Sequence, residues 1–431
     1  QLFCHQIIWN MKANSYKGDD AEEEDSMKPT LDRMIDSIVG ALSGEARAFY
    51  NREFTFFNDV TGISGSLKPY IKKSKAEKKA KIDEEMGKIK LEEGVYLPSN
   101  PDGVVVDLNR KSGRPLQSHA KAPFMATFKV HREFDKDPDD EPSSGQNTAG
   151  DDEAINVGEN KVGRDVWQAA IFKVGDDCRQ DVLILQSLAM LKNIWQVNGL
   201  DLYVNPYRVT ATGPGCGVID VVPNATSRDE MGRAQVNNVN AFYLNRYGNV
   251  DSIAYQQARL NFIKSMAGYS LACHLYQLRD RHGGNIMFDS EGHVVHIDFG
   301  FCFCIGPGGM KFEPYSFKFN LEFGQLMGGK DSEGYKIFSE LFVKGFLALR
   351  PYVDELVAAC RLMYGTDLPC FKGLDTFDEL RERFMPHLDE RKAAAHAVSL
   401  IEDAYGNKRA TAYDLFQYAQ NGIPVPSSKA K

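Results

Sequence analysis

Apolar side chains follow a helical spacing to about residue 90, a strand-like spacing to about residue 174, and a mostly helical spacing from about residue 181 onward. This double change of period constrains the fold more than any other feature. In "LDRMIDSIVGAL", Leu31, Met34, Ile35, Ile38, Val39 and Leu42 fall on one face of a helix. Beyond Gly94, short β-branched runs are broken by Pro, Asn and Gly, and "GVYLPSNPDGVVVDLN", "APFMATFKV" and "WQAAIFKV" predict strands. "DVLILQSLAMLKNIWQVNG" predicts a helix, and "LYVNPYRVTAT" and "GCGVIDVV" predict strands. Asp251 to Leu278 is helical, then "NIMFD" and "HVVHIDF" form short strand candidates joined at "SEG". Amphipathic helices follow to residue 420. This order predicts an α+β enzyme with a strand-rich lobe and a helical lobe.

The 431 residues suffice for two to four domains or one large bilobed one. A net charge of -8 argues against a general nucleic-acid binder. Eight cysteines without a CxxC pair read as reduced thiols of an intracellular protein. No run of eighteen apolar residues predicts a membrane span. The start "QLFCHQIIWN" has neither Met nor a signal pattern and predicts a fragment of a longer protein. Asp135 to Asn160 carries nine acidic residues and one lysine, which predicts an exposed, disordered insertion. "GDDAEEEDS" predicts a solvated loop. "LKPYIKKSKAEKKAK" predicts a solvent-facing helix or loop, with an anionic surface as the alternative reading.

Chemistry concentrates in "YQLRDRHGGNIMFDSEGHVVHIDFG". Asp280, His282 and Asn285 lie within six residues, with Gly283 and Gly284 allowing a tight loop, and Asp298 ends an apolar strand. An Asn and an Asp suit Mg²⁺ held together with phosphate oxygens, and a neighbouring Asp or His can take the proton of an attacking hydroxyl. A zinc set of His282, His296 and Asp298 lacks the HExxH spacing. His296 fits a structural hydrogen bond, and His293 is expected exposed at the turn. Lys173, in an apolar strand, needs a partner for its ammonium, and Asp181 is placed to orient it. "SGRPLQSHAKAP" offers small residues, Ser112, Gly113 and Ser118, to a phosphate, but has neither GxGxxG nor GxxxxGKS. No GxSxG elbow supports a serine hydrolase.

"FKVGDDCRQD", "DRHGGNIM" and "HIDFG" resemble the phosphoinositide 3-/4-kinase family, and "PYRVTATGPGCGVID" and "YDLFQYAQNGIP" resemble its lipid 4-kinases. The resemblance covers nearly the whole chain outside the acidic insertion. It implies a two-lobed protein-kinase-like fold: a helical segment at 1–90, an N-terminal lobe at 91–222 and a helical C-terminal lobe at 223–431. It implies transfer of the γ-phosphate of ATP to the 4-hydroxyl of phosphatidylinositol, with Mg²⁺. By residue, it implies a phosphate loop at Ser112–Pro123 with Ser118 and Lys121 in contact, and Lys173 on the phosphates. Asp181 and Tyr207 would line the inner pocket, and Asp220 to Val222 would meet adenine. Asp280 and His282 would handle the hydroxyl proton, and Asn285 and Asp298 would hold Mg²⁺. The order Asp-Arg-His reverses that of ordinary protein kinases and is the family's own mark. Gly283 departs from the pattern, where many relatives carry Asn or Asp. The segment after Gly300 would be the activation loop. Its two lysines and six aromatics lack the basic cluster a polyphosphorylated lipid requires. Lys311 and Lys318 are expected on the lipid phosphate, and the aromatics in the membrane interface or against the large lobe. Implied partners are phosphatidylinositol in a membrane surface and adaptor proteins bound to upstream regions, with a cytoplasmic, peripheral location at the plasma membrane.

Overall fold

The computed structural model describes residues 2–15, 27–116, 121–135, 155–158, 161–236, 238–303 and 315–421. The chain divides into two compact units, Gln1–Val182 with Tyr207–Val221, and Leu183–Pro206 with Val222–Lys431. One cut falls between Val221 and Val222, and none falls near residue 90. The N-terminal helices share one unit with the sheet, and most of the helix that follows the sheet belongs to the second unit.

In the first unit, helices α1 (Leu2–Asn14), α2 (Lys28–Ala41), α3 (Gly44–Ser66) and α4 (Lys75–Lys88) precede an antiparallel sheet. Its strands are β1 (Tyr96–Leu97), β2 (Asn100–Pro115), β3 (Phe124–Asp135), β4 (Ile155–Gly158), β5 (Lys161–Val174), β6 (Val209–Gly213) and β7 (Cys216–Asp220). They lie in the order β1-β2-β3-β5-β7-β6, with β4 also on β5. Alternation along β3 buries Phe124, Ala126, Phe128 and Val130, and these meet Ala170 and Phe172 of β5 and Val218 of β7. Phe56, Phe57 and Val60 of α3 and Ile82 and Met86 of α4 cover that face. Gly113 is glycine because α4 crosses here: a Cβ would sit 2.3 Å from Ile82 Cγ2.

Two expectations change in this unit. The Asp135–Asn160 segment is not without structure throughout, because Ile155–Gly158 pairs with β5. Ile155 and Val157 alternate with polar and small residues there, which suits an edge strand. The strand expected over Leu202–Thr212 begins only at Val209. Pro206 has no N–H for a ladder, and the Asn205 N–H donates to Tyr269 Oη at 3.0 Å instead. Residues 16–26 and 136–154 lie outside the described residues.

Helix α5 (Arg179–Val197) leads into the second unit, followed there by β8 (Thr226–Ser227), α6 (Arg228–Arg233), α7 (Val239–Tyr247) and α8 (Ile253–Tyr276). Strands β9 (Ile286–Phe288) and β10 (Val294–His296) come next, then α9 (Leu321–Leu326), α10 (Glu333–Leu349), α11 (Val353–Arg361), α12 (Asp375–Glu382), α13 (Glu390–Ala404) and α14 (Lys408–Asn421). Every residue of α8 from Ser265 to Tyr276 is buried, so this helix is the axis of the unit rather than a surface element. Trp195 of α5 is buried and its Nε1–H donates to the Gly345 carbonyl at 3.1 Å. Among the described residues no helix is long and apolar enough to cross a membrane.

Candidate active site

In the first unit, the nucleotide candidates gather at one end of the sheet. Pro115 faces Phe124 and Phe124 faces Phe172, so the β2–β3 connection lies beside Lys173. The Leu116 N–H donates to the Pro123 carbonyl at 3.0 Å and closes that connection. Alternation buries Phe172 and sends Lys173 to the other face, where its ammonium lies 3.3 Å from Asp176 Oδ2. The Lys121 ammonium lies against Gly175, which holds φ +82° in the β5–α5 turn. Asp181 is buried in the first turn of α5, and Tyr207 is half-buried just before β6.

Two small residues expected at the phosphates have structural duties instead. Ser112 Oγ donates to the Asn109 carbonyl at 2.6 Å and accepts from the Thr127 N–H at 2.9 Å, and Gly113 makes room for α4. Ser118 lies outside the described residues. The Asp220 carboxylate is engaged within the sheet, accepting from Ser99, from Asn100 at 3.0 Å and from Gln168 at 3.3 Å. Burial raises its pKa, against the opposing effect of the Ser99 and Asn100 hydrogen bonds. Val222, which opens the second unit's larger part, is buried.

In the second unit a hairpin sets the register of the catalytic candidates. Ile286 pairs with His296, and the Ile297 N–H donates to the Asn285 carbonyl at 3.1 Å. Asn285 and Asp298 therefore stand at the same end of the β9–β10 hairpin. The hairpin's turn is fastened from outside: Tyr243 Oη donates to the Gly292 carbonyl at 2.5 Å, Tyr247 Oη to the Asp289 carbonyl at 3.1 Å and Asn261 Nδ2 to the Glu291 carbonyl at 2.9 Å. His293, expected exposed, is buried; it pairs with Asp289 at 2.9 Å and stacks on Tyr203 at 3.7 Å. His296 is buried, reaching Cys273 Sγ at 3.6 Å and stacking on Tyr269 at 4.7 Å. Burial holds its pKa well below 6.5.

Arg281, unremarked in the sequence, organises the loop from within. Its Nε–H donates to the Arg279 carbonyl at 2.8 Å and its NH1 to the Ile297 carbonyl at 2.7 Å, while NH2 donates to the Asp298 carbonyl. The guanidinium lies 5.5 Å from the centre of the Phe299 ring. This buried arginine ties the loop Asp280–Asn285 to the segment after β10 that carries Asp298. Both carboxylate residues hold left-handed backbone, Asp280 at φ 59° and Asp298 at φ 61°. His282 caps the 3₁₀ turn Gly283–Asn285, its Nδ1 accepting the Gly284 N–H at 3.0 Å. That contact makes the neutral imidazole the Nε2–H tautomer, with Nε2 3.8 Å from Asp280 Oδ2. Burial lowers the His282 pKa, Asp280 pulls against it, and Arg281 and Lys318 lower it further.

Asp280 is held from a distant helix. On α14, Tyr413 Oη donates to Asp280 Oδ1, and Gln417 Nε2 donates to the same oxygen at 3.1 Å. Sequence reasoning gave neither residue a role, although both lie in the stretch "YDLFQYAQNGIP" that carries part of the family resemblance. Asn285 is buried and its Nδ2 donates to the Asp280 carbonyl at 2.9 Å, which assigns the amide oxygen to the opposite side of the side chain. Asp298 is exposed. One amide oxygen and one carboxylate suit a hard cation that completes its shell with phosphate and water oxygens. Among the described residues no three His, Cys, Asp or Glu side chains form a metal cage.

Lys318 departs from its expected role on a lipid phosphate. It is buried, ion-paired with Asp414 of α14, and donates to the Arg281 carbonyl at 3.1 Å. The described aromatics of the same segment also turn inward. Phe303, Tyr315, Phe317 and Phe319 are buried, with Phe317 against Phe342 at 5.2 Å and Phe319 against Phe338 at 4.9 Å. Packing inside the helical unit takes these four rings out of water. Lys311 lies outside the described residues.

Comparison with known proteins bears on the same residues. The family model described as "Phosphatidylinositol 3- and 4-kinase" matches residues 167–373. Phosphatidylinositol 4-kinase stt4 of Schizosaccharomyces pombe is 57% identical over 98% of this chain, which covers 22% of that protein. Phosphatidylinositol 4-kinase alpha 2 of Arabidopsis thaliana is 39% identical over 98% of this chain and 75% of its own length. A putative phosphatidylinositol 4-kinase alpha-like protein P2 of Homo sapiens is 41% identical over 91% of this chain and 70% of its own length. The chain thus spans about a fifth of the length of the two yeast kinases it matches. With 39% identity over 98% of this chain and 75% of the Arabidopsis thaliana relative's length, the chain belongs to the phosphatidylinositol 3- and 4-kinase family.

Proposed function

We propose that this chain is the catalytic portion of a phosphatidylinositol 4-kinase of the type III alpha kind, with a two-lobed protein-kinase-like fold. It transfers the γ-phosphate of ATP to the 4-hydroxyl of phosphatidylinositol. The observation that carries this reading is the hairpin register that sets Asn285 and Asp298 at one end, beside a loop in which Asp280 and His282 face each other. Similarity to named phosphatidylinositol 4-kinases supports the choice of lipid.

In the proposed reaction the inositol hydroxyl oxygen forms a bond to the γ-phosphorus. The bond from that phosphorus to the β–γ bridging oxygen breaks, and ADP leaves with the electron pair. The hydroxyl proton passes to the Asp280–His282 pair, which Tyr413 and Gln417 hold in place. Lys173 and Lys121 neutralise the nucleotide phosphates from the first unit, with Asp181 and Tyr207 lining the pocket and the Asp220–Val222 backbone serving adenine. Mg²⁺, held by Asn285 and Asp298, offsets charge on the phosphate oxygens when bound. Adaptors that act on regions upstream of this chain would bring it to the plasma membrane.

The test is a kinase assay with γ-labelled ATP, a panel of inositol lipids and a protein substrate, followed by separation of the deacylated products. Label at the inositol 4-position is expected. Label at the 3-position, or in protein alone, overturns the assignment.

A further inference from the structure

We infer that the basic end of the first unit is a contact surface for anionic lipid bilayers, separate from the catalytic residues. Lys68, Lys72, Lys73, Lys75 and Lys78 follow one another from the end of α3 into the first turn of α4. All but Lys78 are exposed. From Val60 to Ala76 the chain has no acidic residue. Among the described residues the carboxylate paired with this run is Glu77, 3.7 Å from Lys73, and it already accepts hydrogen bonds from Ser74 in a capping box.

The rest of α4 is built differently. Lys79 pairs with Asp83, Lys81 with Glu84 at 3.1 Å and Glu85 at 2.7 Å, and Lys88 with the same two glutamates at 2.7 and 2.8 Å. So the helix neutralises its own C-terminal half and leaves its N-terminal lysines uncompensated. That is the wrong end for them, since the helix dipole is positive there. A charge placed against local stability, with no compensating partner, points to a contact outside the chain.

The lysines border a surface groove of about 540 Å³ between α4 and β2, lined by Lys75, Ala76, Lys79, Gly113, Arg114 and Pro115. The last turn of α3 is anchored to the sheet by Ser64 Oγ, which donates to the Ala122 carbonyl at 2.8 Å. The basic run itself carries five Lys, with Arg114 on the β2 side of the groove, and its exposed apolar residues are the small Pro69 and Ala76. Protein interfaces are depleted in Lys, the residue that dominates this surface. A negatively charged leaflet needs no anchor pocket, and each lysine within a Debye length of it adds attraction.

The experiment is vesicle flotation of the chain without nucleotide, on phosphatidylcholine vesicles with and without about 30 mol % phosphatidylserine. Wild type is expected to partition at least about tenfold better onto the anionic vesicles at roughly 0.1 M salt, and to lose that preference near 1 M. Lys72→Glu, Lys73→Glu, Lys75→Glu and Lys78→Glu together should abolish the preference, and the same four changed to Gln should weaken it. The Gln form decides the matter should the Glu form fail to fold. Lys330→Glu, Lys336→Glu, Lys372→Glu and Lys408→Glu together, on the second unit, should leave it intact. The inference is overturned by a Gln variant that binds like wild type, by equal loss in the control variant, or by tighter binding to an acidic protein or DNA than to vesicles. It goes beyond the kinase reading, and because no ATP is present a failed kinase assay leaves this result standing.

Discussion

Asp280 takes two donors from one helix, and removing either should show in turnover before it shows in binding. Tyr413→Phe and Gln417→Leu are each expected to lower kcat about tenfold, the loss of one hydrogen bond to a charged group, with the KM for ATP little changed. A rise in KM at constant kcat would place them in nucleotide binding instead. The depressed pKa of His282 has a directional consequence for rate. Burial penalises the imidazolium, so the neutral ring persists as pH falls through 6.5. The acid limb of the pH–rate profile should therefore have its midpoint below 6.5, and a midpoint at or above that value would remove His282 from the proton path. At this scale the sequence was legible where donors cluster within a few residues, as from Asp280 to Asn285. It gave Tyr413 no role, because the partner Asp280 lies 133 positions away. It misled on Lys318, because α14 decides the depth of that ammonium and no local residue reports it.

Elements are held by contacts that single changes can test. Gly113→Ala drives a methyl into Ile82 where α4 crosses β2, and overpacking of this kind should destabilise the fold by about 1–3 kcal/mol in denaturant titration. An unchanged midpoint would mean that α4 moves aside freely. Lys318→Met strands the buried Asp414 carboxylate and should cost about 3–5 kcal/mol, most of it recovered when Asp414→Leu is added. If the double variant stays as unstable as the single one, the pair does more than balance charge. The strands of the sheet were readable because β3 alternates from Phe124 to Val130 and β5 carries a short apolar run. The irregular 201–208 run was not, since its apolar spacing mimics a strand while its backbone finds Tyr269 and Lys264. His293 was misplaced for a similar reason: a polar turn residue looks exposed until Tyr203 covers it.

For the molecule as a whole, acid should be destabilising through a histidine far from any chemistry. His274 is buried in α8, and burial with the nearby Arg383 charge holds its pKa down to about 3. Between pH 6.5 and that value the unfolded chain binds a proton that the folded one refuses. Stability is therefore full above 6.5 and falls by up to about 1.4 kcal/mol per pH unit below it. His274→Leu should flatten that slope in urea titrations from pH 7 to pH 5; an unaltered slope would assign acid sensitivity to other groups. The order of helical, stranded and helical regions could be read from the chain, since it rests on period alone. The division inside α5, between Val182 and Leu183, could not, because the helical pattern runs through it without a break. The left-handed backbone at Asp280 and Asp298 extends this stability argument to laboratory evolution. Each carboxylate sits where glycine would be preferred by about 1 kcal/mol. A library selected for heat resistance alone would enrich glycine at 280 and 298, and its most durable survivors would be inert.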